Sequence, residues 1–259
     1  MATFLFKDII IGPVISRRLG LSLGINLLPS MSKICTFNCI YCECGLNPKK
    51  EALKTNFPNV DEVAKKLKIK LKELSKKGKN PDVITFAGNG EPTLHPKFAE
   101  IIEITINLRN AICPQTRIAV LSNTTRIHIS SVFRALLKID DNIQKLDSAI
   151  PETIKILNNP IKGYELRRTV DLLKKFDGKV IIQTLFLKGS YNENKIDNST
   201  DNEVEAWLKL IKEISPQKVM IYSLARSTPV ETLEKISQER MYEIAEKVQK
   251  ENIEVQVSG

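Results

Sequence analysis

The sequence predicts an α/β fold, a partial (β/α)6 barrel with an N-terminal β extension, formed as one domain over residues 1–259. Three observations carry that expectation. Short runs that are apolar on both faces alternate with longer stretches repeating apolar residues every three to four positions, which is the pattern of a buried parallel sheet and its crossover helices. A length of 259 residues suits one α/β barrel. A composition of 42% hydrophobic and 27% charged residues is that of a globular chain able to bury a large core.

Taken in order, residues 1–30 read as an extended segment. Gly12, Pro13, Gly20 and Gly24 punctuate apolar runs within 8–28, as in a strand or hairpin leading into the loop that follows. Arg17 and Arg18 flank a turn and read as solvated, with contact to an anionic substrate as the alternative. Residues 60–77 repeat Val60, Val63, Ala64, Leu67, Leu71 and Leu74 at helical spacing, with Asp61 and Glu62 suited to the first turn. Lysines 65, 66, 68, 72, 76 and 77 cover the other face, the pattern of an outer helix with a solvated side rather than an RNA patch. Strands are then expected at 82–87, 117–122, 143–149, 180–187, 218–224 and 253–257. Helices are expected at 96–109, 129–138, 163–176, 201–214 and 237–250, with Trp207 in the core. The polar stretch 189–199 lies between a strand and a helix and reads as a substrate lid or a mobile loop. In such barrels ligands sit at the carboxyl ends of the strands.

The chemistry is concentrated at residues 35–42. Cys35, Cys39 and Cys42, with three and then two residues between them, can converge on one soft metal centre. Cuboidal [4Fe–4S] clusters take four cysteine ligands as a rule, so three from one loop leave an iron open to something other than protein. A closed zinc knuckle or a cluster with Cys44 as its fourth ligand is the alternative. Cys44 follows Cys42 too closely to share its iron without strain, and Cys113 reads as a small buried apolar group; both are expected to be non-ligands. Two histidines, His95 and His128, are too few for a histidine-based metal site.

The pattern Cys-x3-Cys-x-aromatic-Cys, with Tyr41 as the aromatic, resembles the radical S-adenosylmethionine enzymes and covers nearly the whole chain. The resemblance implies a [4Fe–4S] cluster whose unique iron is chelated by the methionyl amine and carboxylate of S-adenosylmethionine. It implies reductive cleavage to a 5′-deoxyadenosyl radical that abstracts hydrogen from a substrate. A reductant such as flavodoxin or ferredoxin is implied as well. The segment Gly88-Asn89-Gly90-Glu91-Pro92 is similar to the family's Gly-Gly-Glu-Pro turn, with Asn89 in place of the first glycine of the pair. Its backbone and Glu91 would meet the methionyl ammonium. Ser122 and Asn123 end one strand where a sugar hydroxyl or a carboxylate would lie. Lys145 and Asp147, two apart, point to one side of the next strand and read either as cofactor contacts or as a strand-end salt bridge. Gln183 is a further inward polar residue. The segments 12–20, 157–160 and 221–229 resemble the branch of the tRNA wyosine-base synthases, but no cysteine precedes Cys35, so the second cluster of the archaeal enzymes is not expected.

Substrate remains open at this level among an RNA base, a peptide or protein, and a small metabolite, with Arg226 and the 189–199 stretch expected to contact it. The formal charge of +9 points mildly to an anionic partner. The competing reading is an RNA-binding or electron-transfer protein with a structural iron–sulfur cluster. Five cysteines, an odd number with four of them clustered, argue against a secreted disulfide framework. No 18-residue apolar run suggests a membrane span, and the first seven residues lack an export pattern, so a cytoplasmic location is expected.

Overall fold

The structure, a computed structural model, describes residues 4–49 and 56–258; residues 1–3 of the stretch read for export lie outside them. Elements are numbered in chain order. The main sheet contains β1 (Ile10–Ser16), β2 (Gly20–Ile25), β3 (Val83–Phe86), β4 (Arg117–Ser122), β5 (Asp141–Lys145), β6 (Ile181–Leu185), β9 (Lys218–Tyr222) and β11 (Glu254–Ser258), in that spatial order. β1 is antiparallel to β2. Every other neighbour is parallel, and the sheet curls into a half-barrel.

Successive side chains on a strand face opposite ways, and the sheet divides its residues accordingly. Ile84, Phe86, Ile118, Val120, Ile182, Val219 and Ile221 pack under the helices in the main core. Val83, Ala119, Ile143, Ile181 and Met220 form a separate layer on the concave face, joined by Leu19 from the β1–β2 turn. The inner positions one pleat further along are Thr85, Leu121, Lys145, Gln183 and Tyr222. An apolar floor is thus followed by a more polar lumen.

The helices that cover the convex face follow from their patterns. In α1 (Val60–Lys76) the Asn59 side chain caps the first turn by accepting from Glu62 N at 2.8 Å, and Val63, Leu67, Leu71 and Leu74 are buried. Its lysines stay at the surface, some paired along the helix, as Lys66 is with Glu62 and Lys77 with Glu73. α2 (Phe98–Ile112), α3 (Ser130–Leu136), α5 (Leu166–Lys174), α6 (Asp201–Ile214) and α7 (Gln238–Gln249) lie within or close to their expected ranges. Trp207 is buried, and its indole N–H lies 3.1 Å from both Leu146 O and Thr184 Oγ1.

Three stretches differ from expectation. β5 runs from Asp141 to Lys145, starting two residues earlier than expected; the polar Asn142 and Gln144 within it are buried and bond each other at 2.6 Å. An extra helix, α4 (Pro151–Leu157), opens with proline in its first turn. The strand expected over 180–187 breaks after Leu185: β7 (Leu187–Tyr191) pairs with β8 (Asn194–Asp197) and with β10 (Leu233–Lys235) in a second, antiparallel sheet. The polar 189–199 stretch is therefore largely a hairpin rather than an open loop. Its two-residue turn, Asn192–Glu193, has positive φ at both positions (46° and 65°), the backbone that a tight hairpin requires.

Candidate active site

The cysteine loop follows β2 and is gripped from three sides. From β3's end, Ile34 N donates to Asn89 O at 2.9 Å and Glu91 N to Ile34 O at 3.0 Å. From the end of β4, Asn123 Nδ2 donates to Thr36 Oγ1 at 2.9 Å and reaches Cys35 Sγ at 3.4 Å. From the end of α4, Asn158 O accepts from Asn38 N at 2.8 Å and Leu157 O from Ile40 N at 3.0 Å. Glycine is required at the first grip. Gly90 has φ +131°, and a Cβ there would stand 1.9 Å from Ile34 O; one at Gly88 would stand 2.3 Å from Asn26 Oδ1.

These contacts place the loop at one wall of a cavity of about 280 Å³ at the carboxyl ends of the strands. Cys35, Cys39, Cys42 and the ring of Tyr41 form that wall. Gly88, Gly90 and Glu91 form the next, and Ser122, Asn123, Lys145 and Gln183 continue it along the strand ends. Two residues expected among the cofactor contacts lie outside the lining. Asn89 is fully buried and clamps the amino-terminal segment, accepting from Phe6 N at 2.8 Å and donating to Phe6 O and Pro29 O, both at 2.9 Å. Asp147 stands behind the wall as a hub, since it accepts from the Tyr41 hydroxyl, from Asn158 Nδ2 at 2.7 Å and from Leu185 N at 3.0 Å. Lys145 Nζ lies 3.6 Å from the same carboxylate. The pair expected from strand parity is thus present.

Cys44 does not line the cavity; its sulfur lies 3.3 Å from Gly88 O. Cys113 is buried in the turn between α2 and β4, toward the amino ends of the strands. Arg226 is exposed and bridges to Glu43 at 2.7 Å, outside the lining. Four residues outside the expected cofactor contacts stand in or beside the site. Arg18, read as solvated with contact to an anionic substrate as the alternative, lines the cavity. Tyr222, one inner pleat along β9, and Lys33, whose buried ammonium donates to Gly45 O at 2.7 Å, line it too. Asn158 supports Cys39 and Tyr41 from behind. Strand parity was a signal for Tyr222 alone.

The electrostatics suit soft-metal ligation. Burial pushes the Cys35 thiol up to about 12 and raises Cys39 as well, so thiolates at these positions call for a compensating cation. Cys42 moves the other way, because Cys44 donates toward its sulfur and the Lys33 ammonium is near. Among the described residues no three His, Cys, Asp or Glu side chains converge on a single metal ion. A cuboidal cluster needs no such convergence, since each thiolate binds a different iron. N–H donors approach two of the sulfurs: Phe37 N and Asn123 Nδ2 at Cys35, and Asn158 Nδ2 at Cys39, each at 3.4 Å. Burial raises Glu91, partly offset by donors from Thr93 and from Asn123 N. Burial opposes the charge on Lys145, but Asp147 and Tyr222 outweigh it and hold the ammonium above its ordinary range.

The sequence model of the Radical SAM superfamily matches residues 30–211. A UPF0026 protein of Synechocystis sp., slr1464, is 30% identical over 225 residues, covering 85% of this chain and 77% of that protein. A "GTPase Obg" of Brachyspira hyodysenteriae is 30% identical over 253 residues; the match covers 96% of this chain, which spans only 34% of that protein. Among solved structures, a radical SAM methyltransferase from Sphaerobacter thermophilus superposes with a TM-score of 0.68 at 14% identity, over 91% of this chain and 65% of its own. A structure of TYW1 with a lysine-pyruvate adduct gives 0.62 at 14% identity, over 88% and 73%. At these identities the structural matches establish the shared partial barrel. Among the described residues no helix is long and apolar enough to cross a membrane. The family match over most of the chain, joined to its UPF0026 relatives, makes this chain a member of the radical SAM superfamily, enzymes that use a [4Fe–4S] cluster and S-adenosylmethionine.

Proposed function

We propose that Cys35, Cys39 and Cys42 ligate the cluster and that the cavity beside them holds S-adenosylmethionine over the strand ends. When bound, the two groups supply one-electron cleavage of the sulfonium and abstraction of a hydrogen atom from a substrate. The protein's work is binding, orientation and exclusion. Gly88 and Gly90 bring bare backbone to the methionyl end, and Glu91, fixed by Thr93 and Asn123, faces its ammonium. Tyr41 presents its ring while Asp147 and Asn158 hold its hydroxyl. Ser122, Asn123, Lys145 and Gln183 orient the carboxylate and sugar, and Phe37 and Leu185 keep water from the wall. A flavodoxin or ferredoxin is the proposed electron donor.

The observation that carries this reading is the sharing of one cavity by three loop thiols and the Gly88–Glu91 wall, with the fourth thiol, Cys44, outside it. The test is anaerobic. The protein is loaded with iron and sulfide, reduced and given S-adenosylmethionine, with 5′-deoxyadenosine and methionine read by chromatography and the reduced cluster by electron paramagnetic resonance. Formation of both products, or a cofactor-dependent change in the resonance where cleavage awaits substrate, is expected. A fully loaded, reducible cluster indifferent to S-adenosylmethionine would sink the proposal in favour of a structural or electron-transfer cluster.

A further inference from the structure

The β1–β2 turn closes the amino-terminal end of the half-barrel, and it is pinned. Leu19 enters the apolar floor. Gln256 Nε2 donates to Arg18 O at 3.0 Å, Arg117 Nη2 to Leu19 O at 3.4 Å, and Leu21 N to Asp82 Oδ2 at 2.7 Å. Fixed in this way, Arg18 sends its guanidinium up the lumen, where Cζ lies 4.4 Å from the Tyr222 ring centroid. Lys145 Nζ lies 5.9 Å from the same centroid and 3.4 Å from the Tyr222 hydroxyl. Two cations therefore flank one ring inside the cavity.

Their circumstances differ. Lys145 has Asp147 at 3.6 Å. Arg18 has no ion pair among the described residues, and its Nη1 is buried without a hydrogen-bond partner. The carboxylates lining the cavity are spent elsewhere: Glu43 pairs with Arg226 at 2.7 Å, and Glu91 accepts from Asn123 N at 2.7 Å and from Thr93. A guanidinium presents five donors in a planar fork matched to carboxylate or phosphate oxygens. Stacking on Tyr222 orients that fork but satisfies none of its N–H groups.

We infer that Arg18 is a substrate-anchoring residue, which takes a carboxylate or phosphate group of a substrate seated in the lumen between the apolar floor and the cofactor. This rests on the function proposed above for the place of the chemistry. It narrows the substrate to a molecule, or an exposed end of a larger one, with an anionic group that fits inside the half-barrel. The anion sits where the guanidinium fork reaches, beside the Tyr222 ring at the carboxyl end of β9.

The test uses the cluster-loaded protein, anaerobic, with S-adenosylmethionine present. Orthophosphate and 13C-labelled acetate serve as probes, and their 31P and 13C linewidths broaden on binding to a 29.2 kDa chain whether or not the cluster is paramagnetic. Saturable broadening by at least one probe is expected, weakened at least tenfold in Arg18→Gln and partly restored in Arg18→Lys. The probe that responds assigns the group as phosphate or carboxylate. The cofactor-dependent change in the cluster's resonance is expected to persist in both variants. Absence of saturable binding in the parent protein would overturn the assignment, as would equal binding by parent and Arg18→Gln. Loss of the cofactor-dependent resonance change in Arg18→Gln with the cluster intact would also overturn it, by giving Arg18 to S-adenosylmethionine instead. If the parent's resonance ignores the cofactor, the function proposed above fails, and the linewidth comparison still decides the role of Arg18.

Discussion

The side-chain amide of Asn158 reaches three groups of the cysteine wall: Asp147 Oδ2 at 2.7 Å, the Tyr41 hydroxyl at 3.1 Å and Cys39 Sγ at 3.4 Å. All are largely buried, so removing the donor takes from each an N–H that no other protein group replaces. Asn158→Leu is expected to cost about 2–3 kcal/mol, the penalty for orphaned buried polar groups, read as a lower urea midpoint. It should also leave the reduced cluster less stable, because an N–H donor to a ligand sulfur favours the more negative state. The cysteines make a second prediction at this scale. Cys44→Ala is expected to keep full iron and sulfide loading, whereas Cys39→Ala loses it; iron quantitation after anaerobic loading separates the two, and loss in Cys44→Ala would make Cys44 a ligand. The cysteine spacing was legible in the sequence because all three candidate ligands lie within eight residues. The Asn158 support was not, because the Cys39 it reaches is 119 residues away.

At the scale of elements, the short turn after the Gly88–Glu91 wall contains a histidine whose tautomer is set by its neighbours. His95 Nδ1 accepts from Lys97 N at 3.1 Å, which leaves Nε2 to donate to Pro58 O at 2.8 Å. The bond at Nδ1 requires the neutral ring, and burial lowers the pKa from 6.5, opposed only in part by the bond to Pro58 O. The unfolded chain therefore takes up this proton first. The stabilising contribution is complete above pH 6.5 and is lost as pH falls through the lower folded value. Urea midpoints measured at pH 7.5 and 5.5 are expected to fall on acidification, with a smaller fall in His95→Ala; an unchanged slope in that variant would show that His95 does not titrate as argued. Most elements were legible from local pattern, as β3, β4 and α1 show. The second sheet was not. Residues 187–197 are polar and become strands through pairing with one another and with β10, about forty residues later, which no local periodicity records. β5 was displaced for a related reason: Asn142 and Gln144 look solvent-facing until the structure buries them against each other.

At the scale of the molecule, a curled sheet with one face under helices must still close its other face. The convex face is closed by the amphipathic helices that the sequence announces. The concave face is closed at its floor by a turn that the sequence presents as two arginines beside a glycine, solvated or facing an anionic substrate. Leu19 is the joint, 6% exposed among the five inner residues of β3, β4, β5, β6 and β9. Its neighbour Arg18 looks up into the lumen. Packing at the floor and charge in the cavity are thereby set by one turn. Leu19→Ala is expected to cost about 2–4 kcal/mol, the range for a buried leucine whose cavity refills only in part, measured from the denaturation midpoint. Iron loading should stay unchanged, because the cysteine loop hangs on β3, β4 and α4 at the opposite end. Anion binding should weaken along with stability, because the turn that carries Arg18 loses its anchor. A loss of stability below about 0.5 kcal/mol, the size of a surface substitution, would mean that the turn is not seated in the barrel. Weakened iron loading would mean that the two ends of the half-barrel are not independent.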